Sequence, residues 1–119
     1  MKAKSAKSKG KRLELKVASM FREAGLKDVK VMPGSGAFQF FKGDLYMGML
    51  PYHVECKNQE TSKPWQWYEQ SRSQAGMSKT PLVFFSRNHS QPMALLSAHD
   101  LIQLICELEE YKKLWHDEN

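Results

Sequence analysis

The sequence predicts an α/β (α+β) fold: a single domain with a mixed central β-sheet flanked by helices. Three observations predict it. Helical periodicity appears near the start, once in the middle and at the end of the chain, with short strand-length runs between. Leu82 to Phe85 is a continuous apolar run, as in a strand covered on both faces. A length of 119 residues holds one hydrophobic core and not two.

The elements follow in order. Residues 1–10, rich in Lys, Ser and Ala, read as a flexible basic arm, leaving residues 11–119 as the domain. Leu13, Val17, Met20, Phe21 and Ala24 recur at three- and four-residue steps and predict a helix that Gly25 stops. Val29 to Met32 predicts a short strand, ended by the turn signal Pro33-Gly34-Ser35-Gly36. Asp44 to Met47 and Tyr52 to Lys57 predict two strands joined as a hairpin across Gly48 to Pro51. Pro64 suits a first helical turn, after which Trp65, Tyr68, Arg72 and Ala75 share a face. The Leu82 strand leads through the polar turn Arg87 to Gln91 into a strand at Met93 to Leu96. Ser97 and Asp100 resemble a capping box, and Leu101, Leu104, Ile105, Leu108, Tyr111 and Trp115 then lie on one face of a last helix. The predicted order is α-β-β-β-α-β-β-α.

The net charge of +5 is unevenly placed. Lys2, Lys4, Lys7, Lys9, Lys11, Arg12 and Lys16 face Glu14 alone in the first sixteen residues, so that stretch carries +6 and the remainder −1. A basic arm on a near-neutral body points to nucleic acid or an acidic partner. No apolar run approaches a membrane span, and Glu14, Lys16, Arg22 and Glu23 interrupt what would be a secretory core. The acid-free first twelve residues share their composition with mitochondrial presequences. Two cysteines, Cys56 and Cys106, make no disulfide framework and suit a reducing compartment. The four histidines lack the spacing of a structural zinc site.

The chemistry concentrates in Gly43-Asp44 and His53-Val54-Glu55-Cys56-Lys57. Strand alternation puts Glu55 and Lys57 on one face, with His53, and turns Val54 and Cys56 to the other. An acid and a base there, with Asp44 from the neighbouring strand, are costly to bury without a purpose. Two hard carboxylates suit Mg²⁺, and Lys57 beside that ion would hold an attacking water or stabilise an anionic transition state. Glu14 borders the apolar face of the first helix, from which it would turn into the same cleft. Cys56 reads as a small core residue, and His53 as a hydrogen-bonded structural histidine. Trp65, Trp67 and Trp115 read as core or interface anchors, and Phe38, Phe40 and Phe41 as loop or interface packing. The helix after Lys57 adds a polar stripe of Gln66, Gln70 and Ser73.

Together these residues resemble the PD-(D/E)xK nuclease superfamily, and most of all its archaeal-type Holliday junction resolvases. The resemblance runs from Glu14 to about Ser86. It implies a restriction-endonuclease-like α-β-β-β-α-β core and a magnesium-dependent endonuclease, with Mn²⁺ as a substitute cofactor. Asp44 and Glu55 would be metal ligands, Glu14 an acid at an outer or second position, and Lys57 the catalytic lysine. The Cys56 backbone carbonyl would complete the metal site. Ser35 would approach the scissile phosphate and Gln70 would be an accessory residue. Lys7, Lys9, Lys11, Arg12 and Lys42 would bind DNA, a four-way junction or branched duplex. A protein this small would act as a homodimer, in the cytoplasm of a prokaryote or phage-infected host, neither secreted nor bound to membrane.

Two departures stand out. Gly43 occupies the position of the motif's proline, a change expected to be tolerated because that residue shapes backbone only. The segment from Gly36 to Gly43 is longer than expected of the resolvases. Repair, restriction and phage-recombination nucleases share the minimal motif. The alternatives of another class are a non-catalytic DNA-binding module and a protein-interaction domain with a basic tail.

Overall fold

The structure, a computed structural model, describes residues 2–32 and 43–118, and the side chains of 8–32 and 43–117. The element order is α1 (Lys2–Glu23), β1 (Lys30–Val31), β2 (Leu45–Tyr46), β3 (Tyr52–Asn58), α2 (Pro64–Ala75), β4 (Thr80–Ser86), β5 (Met93–Leu95) and α3 (Ala98–Glu118). This is the predicted order. The Pro33 to Gly36 turn, Phe38, Phe40, Phe41, Ser35 and Lys42 lie outside the described residues.

The central sheet is mixed, in the order β3-β4-β5. β3 and β4 run parallel, from Tyr52 opposite Thr80 to Asn58 opposite Ser86. Parallel neighbours need a crossover, and α2 supplies it. β5 returns antiparallel, with Val83 opposite Leu95. The hairpin expected between the second and third strands is not a continuous ladder. β2 pairs instead with β1, Lys30 opposite Tyr46 and Val31 opposite Leu45. It meets the free edge of β3 through the Asp44 N–H, which donates to Val54 O at 2.9 Å.

Alternation along the strands decides what each helix covers. Val54 and Cys56 pack with Leu13, Val17 and Ala18 of α1 and with Val29, Leu45 and Met47 of the β1–β2 pair. Phe84 meets Phe21 of α1 edge to face, ring centroids 5.6 Å apart. The next residue, Phe85, turns the other way and meets Trp67 of α2 at 5.7 Å. The sheet is therefore sandwiched between α1 and α2. Burying a side chain such as Val54, which is fully enclosed, contributes roughly 1.5–3 kcal/mol.

Three details differ from the sequence expectation. The first helix reaches back to Lys2, so the backbone of residues 2–10 is helical, as its lysines and alanines favour. Gly25 ends it at φ +105°, with Leu26 N–H donating to Phe21 O. The buried face of α2 is Trp67, Ser71 and Ala75, not the face of Trp65, Tyr68 and Arg72. Trp65 is 85% exposed. The Ser71 hydroxyl decides this: it is shared between the carbonyls of His53 (3.1 Å) and Leu82 (3.2 Å), and its small size lets α2 approach the sheet. Finally, α3 begins as expected, its Asp100 N–H donating to Ser97 Oγ at 3.0 Å. The Leu101, Ile105, Leu108 and Tyr111 side chains of its apolar face, however, stay about half exposed, and no other element among the described residues makes more than marginal contact with the helix. No helix among them is long and apolar enough to cross a membrane.

Candidate active site

Asp44 sits where β2 meets the edge of β3, held by its own backbone. Its N–H donates to Val54 O, its carbonyl accepts from Met32 N–H at 3.2 Å, and its Oδ2 accepts from Cys56 N–H at 2.7 Å. The residue before it sets this approach. Gly43 has φ +117°, and a Cβ there would lie 3.1 Å from His53 Cε1 and 3.3 Å from Val54 O. Proline, fixed near φ −65°, does not fit that backbone. The glycine is thus required by this chain's geometry, not merely tolerated in place of the motif's proline.

Glu55 and His53 project from the same side of β3 and are both buried. The His53 ring bonds Glu55 Oε1 through Nε2 at 3.1 Å, the hydrogen-bonded histidine the sequence suggests. Burial, opposed by the Cys56 N–H and reinforced by the adjacent Glu55 and then Glu14, raises the Asp44 pKa to about 7. Glu14 is raised as well, chiefly by burial, with Lys11 lowering it and Glu55 adding to the rise. Three acids, from α1, from the residue before β2 and from β3, thus crowd one another. The Cys56 thiol is pushed up by burial and by the same acids, so it stays protonated and is no nucleophile. Lys57, half-buried one step along the strand from Cys56, is near enough to offset part of that effect.

The DNA-binding candidates divide. Lys9 belongs to the body: its carbonyl accepts from Asn58 Nδ2 at 3.0 Å, and its Nζ lies 3.9 Å from Glu60. Arg12 lines a polar cleft of about 310 Å³ with Lys16, Asn58, Ser86 and the turn Arg87 to Ser90. That turn is pinned by Ser86 and Ser90 hydroxyls and by Asn88 N–H donating to Glu60 Oε1 at 2.9 Å. Lys11 is exposed, as is Gln70, whose side chain no hydrogen bond links to the acids. The side chain of Lys7 lies outside the description. Sequence reading missed Lys16 and Arg87 as partners of Arg12. Lys16 lies one turn from Arg12 on α1, whereas the approach of Arg87 depends on the parallel register that sets Asn58 opposite Ser86, which local pattern does not reveal.

A family model described as "Phage putative PDDEXK endonuclease" matches residues 5–117. The chain belongs to this family. No curated protein and no solved structure matches it. As a PDDEXK family member, the chain carries its acids and Lys57 within the matched span, which also takes in α3. Among the described residues, no three His, Cys, Asp or Glu side chains converge closely enough to cage a metal by themselves. Mg²⁺ does not require that: it commonly takes one or two carboxylates and keeps several waters. Asp44 and Glu55 fit such an ion, being hard oxygen donors whose crowding a divalent cation would relieve.

Proposed function

We propose that the chain is a Mg²⁺-dependent DNA endonuclease that hydrolyses phosphodiester bonds, with Mn²⁺ able to substitute. The observation that carries this reading is the Asp44 carboxyl, crowded by Glu55 and Glu14 at the edge of the strand that bears Lys57. Buried like charges without a cation are costly, and phosphodiester hydrolysis supplies a reason to keep them. Asp44, Glu55 and the Cys56 carbonyl would hold the ion, with Glu14 at an outer position. Once bound, the ion supplies Lewis-acid polarisation of the phosphate and of the attacking water. Lys57 orients that water and offsets the charge that develops on the phosphate oxygens. His53 fixes the Glu55 carboxylate by the bond to its Oε1. Lys7, Lys9, Lys11 and Arg12 draw in the duplex, joined by Lys16 and Arg87 of the polar cleft, and Ser35, Lys42 and Gln70 are accessory contacts.

The preferred substrate on this reading is a four-way junction or other branched DNA, cut by a homodimer in a prokaryotic or phage-infected cytoplasm. The resemblance to junction resolvases and the basic helix leading into Glu14 support it. A panel of four-way junction, nicked duplex, linear duplex and single strand, each with Mg²⁺ or chelator, tests the proposal. The expected result is Mg²⁺-dependent cleavage with the junction cut fastest. Equal cleavage of all four substrates overturns the junction preference, and salt-sensitive binding without cleavage overturns the nuclease.

A further inference from the structure

We propose that α3 is a self-association element, pairing in parallel with α3 of a second copy of this chain. The helix makes no more than marginal contact with any other element among the described residues. Yet Leu101, Leu104, Ile105, Leu108, Tyr111 and Trp115 fall within about 120° of its circumference at ~100° per residue. Leu101, Ile105, Leu108 and Tyr111 are each 45–65% exposed. A contiguous apolar stripe rimmed by charged residues is the kind of surface that marks an association site.

The sequence of the stripe identifies its cover. Leu101, Leu104, Leu108, Tyr111 and Trp115 follow the 3-4-3-4 alternation of a coiled-coil seam, two apolar positions per heptad. Glu107 and Lys112 then flank the seam five residues apart, the offset at which opposite charges meet across two parallel helices. An antiparallel pair would set Glu107 near Leu114, and Lys112 near Ile105, leaving both charges unmatched. Glu109, Glu110, Lys113 and Asp117 lie away from the seam. Lys112 contacts Glu109 at 3.7 Å within its own helix, an exposed pair that exchanges partners at little cost.

Other occupants fit poorly. The helix carries six acids against two lysines, so it repels phosphate and is not a DNA contact. Residues 2–12 are basic enough to approach it but hold no apolar side chain larger than alanine. Parallel pairing would set two bodies at one end of the assembly. Two cleavage sites in one assembly are what the resolvase reading needs, although the pairing itself rests on neither metal nor DNA.

Sedimentation equilibrium of the full chain between about 5 and 100 μM, without metal or DNA, tests the proposal. We expect a species of twice the 13.8 kDa chain mass, persisting at high salt because the seam is apolar. Leu108→Glu should give a monomer that still unfolds in one cooperative thermal transition, its midpoint now independent of concentration. Glu107→Lys should weaken association severalfold, and adding Lys112→Glu should restore it. A monomer at 100 μM overturns the proposal, as does a dimer unaffected by Leu108→Glu. Failure of the charge swap to restore association overturns the parallel arrangement. Because no outcome depends on cleavage, failure here and failure of the nuclease reading are distinguishable.

Discussion

Asp44 carries an electrostatic cost that the metal-free protein must bear. Its pKa stands at about 7 in the folded chain against 3.8 for a solvated aspartate, so folding takes up a proton between those values. The folded state binds more protons than the unfolded one there, and stability falls as pH rises through that window. In chelator, Asp44→Asn should therefore be more stable than the parent at pH 8, by up to a few kcal/mol. The gap should shrink toward pH 4, read from urea unfolding across pH. Added Mg²⁺ should stabilise the parent at pH 8 and leave Asp44→Asn nearly unmoved. Gly43 is the second telling residue. Gly43→Pro, which restores the motif's proline, should destabilise the chain by about 3 kcal/mol or more, because φ +117° lies outside proline's reach. Thermal unfolding measures this directly. The acids and Lys57 were legible in the sequence because strand alternation and motif spacing are local. The conformation of Gly43 was not, since it follows from how closely His53 approaches.

At the scale of elements, local pattern located every helix and strand but not every face. The α2 face was misread because Trp65 and Tyr68 are as apolar as Trp67, and periodicity alone cannot choose between neighbouring stripes. The choice falls to Ser71, a polar residue that pattern reading assigns to the surface. Its hydroxyl satisfies strand carbonyls in a fully buried position. Ser71→Ala should cost about 1 kcal/mol, the net worth of such a bond, and Ser71→Leu considerably more by overpacking the α2–sheet contact. Chemical denaturation of both variants checks the ranking. Equal stability of serine, alanine and leucine at this position would mean that α2 does not dock through it. The hairpin expectation failed for a related reason. β2 and β3 are close in sequence, but the backbone bonds of β2 go to β1, and among the described residues it is Asp44 that reaches across to β3. That crossing point is where the acid is needed.

For the molecule as a whole, charge and apolar surface are segregated. Cations gather on α1 and the Arg87 turn, acids meet at the edge of β3, and an acidic helix with an apolar stripe extends beyond the sandwich. The charge division was visible in the sequence. The separation of α3 from the core was not, because a seam that covers the body and one that covers another chain have the same periodicity. A chain ended after Ser97 should retain the sheet and its two covering helices, with a melting temperature within a few degrees of the parent at equal concentration, once any contribution from association is removed by Leu108→Glu. Loss of the cooperative transition would show that α3 supports the body. The central claim, that Asp44, Glu55 and Lys57 form a phosphodiester-cleaving site, is tested most directly by single-turnover cleavage at saturating DNA with Mg²⁺. The account predicts cleavage by the parent chain and a loss of about 100-fold or more in both Asp44→Ala and Lys57→Ala, with folding preserved. Undiminished cleavage by either variant would contradict it.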